Sequence, residues 1–298
     1  MKAFNRNFSK HPRAIAEQLR LDSVGGDRFR NRLNQANSYQ ALFGGQVVAQ
    51  ALAAADLTVE AERSVHSLHA YFLRGGDASH PVEFDVQRVR DGRRFSTRRV
   101  CAVQQGKLLL TLDSSYCVAM PGFEHQQAAE FAFDPESALD HHALIETVPA
   151  ESQQLLRDFF SHYPIDVRFP SPVGFTSRAP VAKRHFWLRA LDMPLSDDER
   201  LHREVLAYMS DFLFSGAPLA SHTLSIPGPH VAMASLDHAM WFHRPVRCDD
   251  WLLFETDSPS ARASLGLSRG LFYDRAGNLL ATVAQEALQT IHDGALDA

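Results

Sequence analysis

Apolar residues recur at two spacings along this chain, and the spacings alternate in the same order twice. Residues 42–55 carry alanine and larger apolar side chains at helical intervals, which predicts a buried helix with Gly44 and Gly45 in its first turn. Glycine there leaves room for a ligand to approach free backbone N–H groups. Period-two alternation then predicts strands at 66–74, 81–89, 94–104 and 107–118, and Asp91-Gly92 and Gln105-Gly106 fall where hairpin turns need positive φ. Residues 27–34 alternate weakly and read as a strand ahead of the helix. The expected order is a helix followed by an antiparallel meander that wraps it.

The second half repeats this plan. Strand-like residues 165–169 and 186–191 precede a helical stretch at 199–214, and strands follow at 231–244, 251–256, 261–274 and 279–291. His66-Ser67-Leu68-His69-Ala70-Tyr71-Phe72-Leu73-Arg74 is answered by Asp237-His238-Ala239-Met240-Trp241-Phe242-His243-Arg244, and Gln105-Gly106 by Ala276-Gly277. Duplicated halves imply two copies of one small fold. Between them, residues 119–163 are charged, punctuated by Pro121, Pro135 and Pro149, and hold one amphipathic stretch at 151–160, so they read as a linker. The division is then an N-terminal domain at 1–118, a linker at 119–163 and a C-terminal domain at 164–298. A curved antiparallel sheet around one central helix is a hotdog. The predicted class is α+β, a double hotdog of two fused hotdog domains.

Composition narrows the function. The 298 residues, 45% hydrophobic and 22% charged, provide for one large core or two small ones, and the repeat favours two. A formal net charge of -5 argues against nucleic acid as the main partner, because phosphate binding needs a basic surface. Cys101, Cys117 and Cys248 are widely spaced and form no CxxC pattern, so neither a disulfide framework nor a zinc site is implied. Residues 1–7 lack the apolar core of a signal peptide, Ala295-Leu296-Asp297-Ala298 is no peroxisomal address, and no apolar run nears the roughly 20 residues of a membrane span. A cytoplasmic protein is expected.

Longer motifs carry a resemblance. Phe43-Gly44-Gly45-Gln46-Val47-Val48-Ala49-Gln50-Ala51-Leu52, Arg90-Asp91-Gly92-Arg93-Arg94-Phe95, Tyr208-Met209-Ser210-Asp211, Ser268-Arg269-Gly270-Leu271-Phe272-Tyr273-Asp274 and Gln285-Glu286 accompany the two repeated segments. Together they resemble the acyl-CoA thioesterase II family over nearly the whole chain. The resemblance implies a hydrolase of fatty acid metabolism that converts fatty acyl-CoA to free fatty acid and coenzyme A without a cofactor. The family's aspartate on the second hotdog helix, its threonine or serine near the start of a following strand and its glutamine on the last strand match Asp211, Ser235 and Gln285. Serine in place of the commoner threonine keeps the hydroxyl and loses a methyl, so looser positioning is expected. Acyl-CoA is the implied partner and a homo-oligomer the expected assembly, with chain-length preference and copy number left open.

The implied set suits thioester hydrolysis. A carboxylate held by a hydroxyl and an amide can aim and deprotonate water, and backbone N–H groups near a helix start can receive the oxyanion. Taken singly, Asp211 would read as a solvated or capping residue, Ser235 as a strand hydroxyl and Gln285 as an exposed strand amide. Their weight comes from appearing together. Gly266-Leu267-Ser268-Arg269-Gly270 satisfies the nucleophile-elbow pattern, but its residues alternate as one strand where an elbow needs strand, turn and helix. The strand pairs among the 15 histidines, His66 with His69 and His238 with His243, sit three or five apart on opposite faces, so no metal site is expected; His69 and His238 read as structural or as lining an acyl channel. Arg88, Arg90, Arg93, Arg94, Arg98 and Arg99 form a stripe that is either a solvated strand edge or a coenzyme A phosphate site. Two other functions on the same fold remain: an acyl-CoA hydratase or dehydratase, whose aspartate and histidine loop is missing here, and a non-catalytic acyl-CoA binding module.

Overall fold

The computed structural model describes residues 14–291 apart from 38, 132, 195 and 223–230. The N-terminal half opens with α1 (Ile15–Gln18) and the hairpin β1 (Leu21–Gly25) and β2 (Arg28–Asn31), then α2 (Gly44–Asp56). The meander follows as β3 (Ser64–Phe72), β4 (Glu83–Asp91), β5 (Phe95–Gln104) and β6 (Lys107–Cys117). Residues read as a linker form β7 (Leu139–Asp140), α3 (His141–Ile145) and α4 (Ala150–Ser161). The second half comprises β8 (Ile165–Phe169), β9 (Lys183–Ala190), α5 (Glu199–Met209), a 3-10 helix at Phe214–Leu219, β10 (Val231–Ser235), β11 (Asp237–Phe242), β12 (Leu252–Arg262), β13 (Leu265–Tyr273) and β14 (Leu279–Ile291).

The strands make one antiparallel sheet in the order β1-β2-β4-β5-β6-β3-β11-β14-β13-β12-β9-β8-β7, with β10 pairing a further stretch of β14. That order is nearly palindromic about the β3–β11 seam, where His69 pairs Ala239. Each half therefore presents the same strand sequence to the seam, as a double hotdog requires. The expected positive φ is present at Gln105 and Gly106, at 49° and 73°, but not at Asp91 and Gly92, whose turn closes without it.

Helix α2 is mostly apolar and buried from Gly45 to Asp56, with Gln46 and Gln50 hydrogen-bonded to the segment before it, so it forms the inside of the roll. It packs on α5, and the contact is close enough to require glycine. A Cβ at Gly45 would lie 2.4 Å from the Tyr208 carbonyl oxygen, and one at Gly44 would lie 2.7 Å from Asp211 Oδ2. The glycines were expected to make room for a ligand; the groups found against them are the Tyr208 carbonyl and the Asp211 carboxylate at the end of the other helix.

Two irregularities were not predicted. Helix α5 starts on an Asp198 cap, whose side chain accepts from Arg200 N, and stops at Met209; a turn follows in which Leu213, at φ 60°, leads into the 3-10 helix. Asp211 thus sits in the turn beyond the helix, which corrects the helix expected over 199–214. The strand expected at 231–244 is likewise broken: Ser235 pairs Ala287 while Ala239 pairs Ala284, so one extra residue bulges at Leu236.

Candidate active site

Asp211, Ser235 and Gln285 meet. Ser235 Oγ donates to Asp211 Oδ1 at 3.4 Å, and Gln285 Nε2 donates to Ser235 Oγ at 3.0 Å. The turn after α5 supplies the carboxylate, the end of β10 the hydroxyl and the middle of β14 the amide. Gln285 is fully buried where an exposed strand amide was the reading in isolation, and Asp211 is 9% exposed. With Oδ1 taken by the hydroxyl, Oδ2 is the oxygen that faces Gly44 at the start of α2. No side chain caps that helix, so its first N–H groups remain available beside the carboxylate.

A fourth residue completes the chain. His238 is 1% exposed, with Nδ1 2.5 Å from Gln285 Oε1 and Nε2 2.9 Å from Ser210 Oγ. Burial pushes its pKa down, which keeps the ring neutral. A neutral ring that donates from Nδ1 accepts at Nε2, where it shares the single proton of the Ser210 hydroxyl with the Ala207 carbonyl, 2.8 Å from Oγ. The connections run from Ser210 through His238, Gln285 and Ser235 to Asp211, the neighbour of Ser210 in sequence. Sequence reading left His238 as structural or channel-lining, although it stands inside the repeated segment that flags the seam.

The bulge makes this possible. Ser235 and His238 are three apart and would point to opposite faces of a regular strand, yet both touch Gln285. The extra residue at Leu236 reverses the alternation between them.

These groups open on a cavity of about 530 Å³ between the halves. Leu42, Gly44 and Leu109 line it from the first half, and Asp211, Ser215 and Arg184 from the second. Leu73, 48% exposed, and exposed Arg74 mark its outer rim. Phe159 and Tyr163, from the segment read as a linker, join Phe212 in an aromatic wall with centroids 5.1–5.8 Å apart. Burial, reinforced by the Asp211 charge, holds the Tyr163 phenol well above its usual pKa, so it faces the cavity as a neutral hydroxyl.

Other candidates take different roles. Ser268 is buried within β13 and donates to the Phe214 carbonyl at 3.0 Å, which anchors the 3-10 helix. In the arginine stripe, Arg88 pairs Asp27, Arg99 pairs Asp113, and buried Arg98 pairs Asp91, while Arg90, Arg93 and Arg94 are exposed. None of the six lines the cavity. His69 stacks edge-on to Trp241 across the seam at 5.2 Å. Among the described residues no group of three or more His, Cys, Asp or Glu side chains is placed to hold a metal ion.

Family models described as the acyl-CoA thioesterase N-terminal domain and C-terminal domain match residues 34–119 and 135–289. Acyl-coenzyme A thioesterase 8 of Mus musculus is 38% identical over 290 residues, spanning 92% of this chain and 88% of the relative. Acyl-CoA thioesterase 2 of Haemophilus influenzae is 34% identical over 275 residues, spanning 91% and 94%. Among solved structures, an acyl-CoA thioesterase II from Mycobacterium marinum superposes with a TM-score of 0.77 at 37% identity, covering 94% of this chain and 100% of that one. A hotdog-fold protein from Alicyclobacillus acidocaldarius, at 17% identity and a TM-score of 0.73, shares the fold.

Proposed function

The chain belongs to the acyl-CoA thioesterase II family and hydrolyses acyl-CoA thioesters, and from that premise we propose that Asp211 directs water at the thioester carbonyl with Ser235 and Gln285 as its supports. The observation that carries this reading is the donor order into the carboxylate. Gln285 donates to Ser235 and Ser235 donates to Oδ1, so the lone pairs of Oδ2 stay free for a water beside Gly44. That water gives a proton to Asp211 as its oxygen bonds to the carbonyl carbon. The N–H groups at the start of α2 receive the oxyanion. Collapse breaks the carbon–sulfur bond, and the coenzyme A thiolate leaves with the proton returned from Asp211.

Direct attack by water is preferred to an acyl anhydride on Asp211, since the Ser235 hydroxyl already holds one carboxylate oxygen and leaves the other to accept a proton from water. A single turnover in heavy-oxygen water tests this. Label confined to the product acid is the expected result, and label appearing first in the Asp211 carboxylate would overturn it.

The same reading gives one centre per chain. Ser114 pairs Arg98 on β5 as Gln285 pairs Ser268 on β13, so a buried serine occupies the amide's position in the first half. It cannot supply both a donor and an acceptor at that reach. The assembly is a homo-oligomer of the cytoplasm, a compartment that suits three unpaired cysteines. No described helix is long and apolar enough to cross a membrane.

A further inference from the structure

Tyr163 brings a hydroxyl to the cavity from outside both repeats. It follows the last turn of α4 and is 4% exposed, yet its Oη makes no hydrogen bond among the described residues. The tyrosine hydroxyls around it are satisfied: Tyr208 donates to Gln35 Oε1 and Tyr39 to the Val231 carbonyl. An enclosed phenol normally finds a partner. Here it lines the same wall as Asp211 and Ser235, so the partner it meets in turnover is the substrate.

The ring is fixed beside the reaction centre. It packs edge-on to Phe43 with centroids 5.0 Å apart and against Phe212 at 5.1 Å. Phe43 precedes Gly44 and Phe212 follows Asp211, so the phenol rests on the chain neighbours of both groups that flank the attacking water. The backbone next to it is pinned as well. Gln35 Nε2 donates to the His162 carbonyl at 3.2 Å, and His162 Nε2 is hydrogen-bonded to the Ala36 carbonyl, which ties the end of α4 to the segment that leads into α2. A donor held this firmly needs no reorganisation when charge develops in front of it. Of the thioester's two acceptors, sulfur is weak, whereas the carbonyl oxygen becomes anionic as water adds.

We propose that Tyr163 is a catalytic residue whose hydroxyl donates to the thioester carbonyl oxygen and to the oxyanion formed there, alongside the N–H groups that open α2. The inference rests on the reading that Asp211 directs water at that carbonyl. As the water oxygen bonds to the carbonyl carbon and its proton passes to Asp211, the carbonyl π pair moves onto oxygen, where Tyr163 and the α2 N–H groups hold it. Collapse returns that pair and expels the thiolate. Tyr163 keeps its own proton throughout, so the only proton that moves is the one carried by Asp211.

Tyr163→Phe tests this, because it removes the hydroxyl and keeps the ring against Phe43 and Phe212. The kcat for acyl-CoA is expected to fall about 10²-fold while KM rises no more than about fivefold, since the oxyanion takes this bond far better than the carbonyl does. Turnover near the wild-type rate overturns the proposal. Two analogues that resist hydrolysis then locate the contact by calorimetric titration: a ketone with methylene in place of the sulfur keeps the carbonyl, and an S-alkyl-CoA thioether keeps the sulfur and lacks the carbonyl. The ketone is expected to bind about fivefold more weakly to Tyr163→Phe than to the wild type, and the thioether equally well to both. Unchanged ketone affinity would assign the hydroxyl to the water, and weakening of the thioether would assign it to the sulfur or the chain; either result overturns the proposal. These titrations need no turnover, so they decide on Tyr163 even if Asp211→Asn leaves hydrolysis intact and removes the reading beneath it. A hydroxyl without a protein partner adds little to folding, so Tyr163→Phe is expected to melt with the wild type, and a clearly lower melt would show that the hydroxyl is bonded within the protein and also overturn the proposal.

Discussion

His238 holds Gln285 by its carbonyl end, with Nδ1 2.5 Å from Oε1, and so turns the amide nitrogen toward Ser235. An imidazole N–H can donate only to the oxygen of the amide, so this contact decides which way Gln285 points. A flipped amide would offer Ser235 an acceptor. The serine proton would then turn away from Asp211. His238 is therefore a positioning residue for the carboxylate, acting through two intermediaries.

His238→Phe keeps a buried ring and removes the hydrogen bonds. It is expected to lower kcat about tenfold or more with little change in KM, as for a group acting on the transition state through others. The diagnostic is coupling: adding Gln285→Ala to this variant should cost little further, because both changes break one chain. Steady-state kinetics on the two single variants and the double variant check it, and fully additive losses would detach His238 from the site.

Asp211→Asn keeps the shape and removes the base. A fall in kcat of about 10² or more is expected with the fold retained. Thiol release from acyl-CoA, measured beside a thermal melt, is the readout. Turnover near the wild-type rate would remove Asp211 from the chemistry.

The halves should respond unequally. Gln285→Ala is expected to lose a large part of turnover, while Ser114→Ala loses little, since Ser114 lies outside the hydrogen bonds that run from His238 through Gln285 and Ser235 to Asp211. Equal losses, or active-site titration giving two centres per chain, would mean that both halves do chemistry.

Asp56 gives a pH prediction away from the site. Burial lifts its pKa from 3.8 to about 6, and neighbouring Glu204 is raised as well by burial and by the Asp56 charge. The folded state then binds protons more tightly than the unfolded one, so this contribution is present below about pH 4 and is lost as pH rises toward 6. A rise of that size corresponds to on the order of 3 kcal/mol. Asp56→Asn should melt higher than the wild type at pH 8, with the gain disappearing near pH 4. Equal melting temperatures at pH 8 would mean that Asp56 carries its charge without penalty.

Much of the architecture was legible in the chain alone. Helical spacing in 42–55 marked α2 because a run of alanine and larger apolar side chains at that spacing has to be buried. Alternation marked the meander, and glycine in the turns marked the hairpins, because positive φ is a local demand. The motif match nominated Asp211, Ser235 and Gln285. What the chain could not disclose is how three residues from a turn, a strand end and a mid-strand come within hydrogen-bonding reach. That depends on the turn after α5, where Leu213 is left-handed, and on an extra residue at Leu236, which the pairing with β14 sets. The same holds for His238, which alternation alone would turn away from Ser235. It holds for Phe159 and Tyr163, which reach the cavity from a segment that looked like a spacer. For Arg184, sequence shows a charged residue in a strand. Only the curl of the sheet turns it inward to an apolar wall. Local spacing dictates which elements form. The closing of the sheet over α2 and α5 dictates which side chains meet inside it.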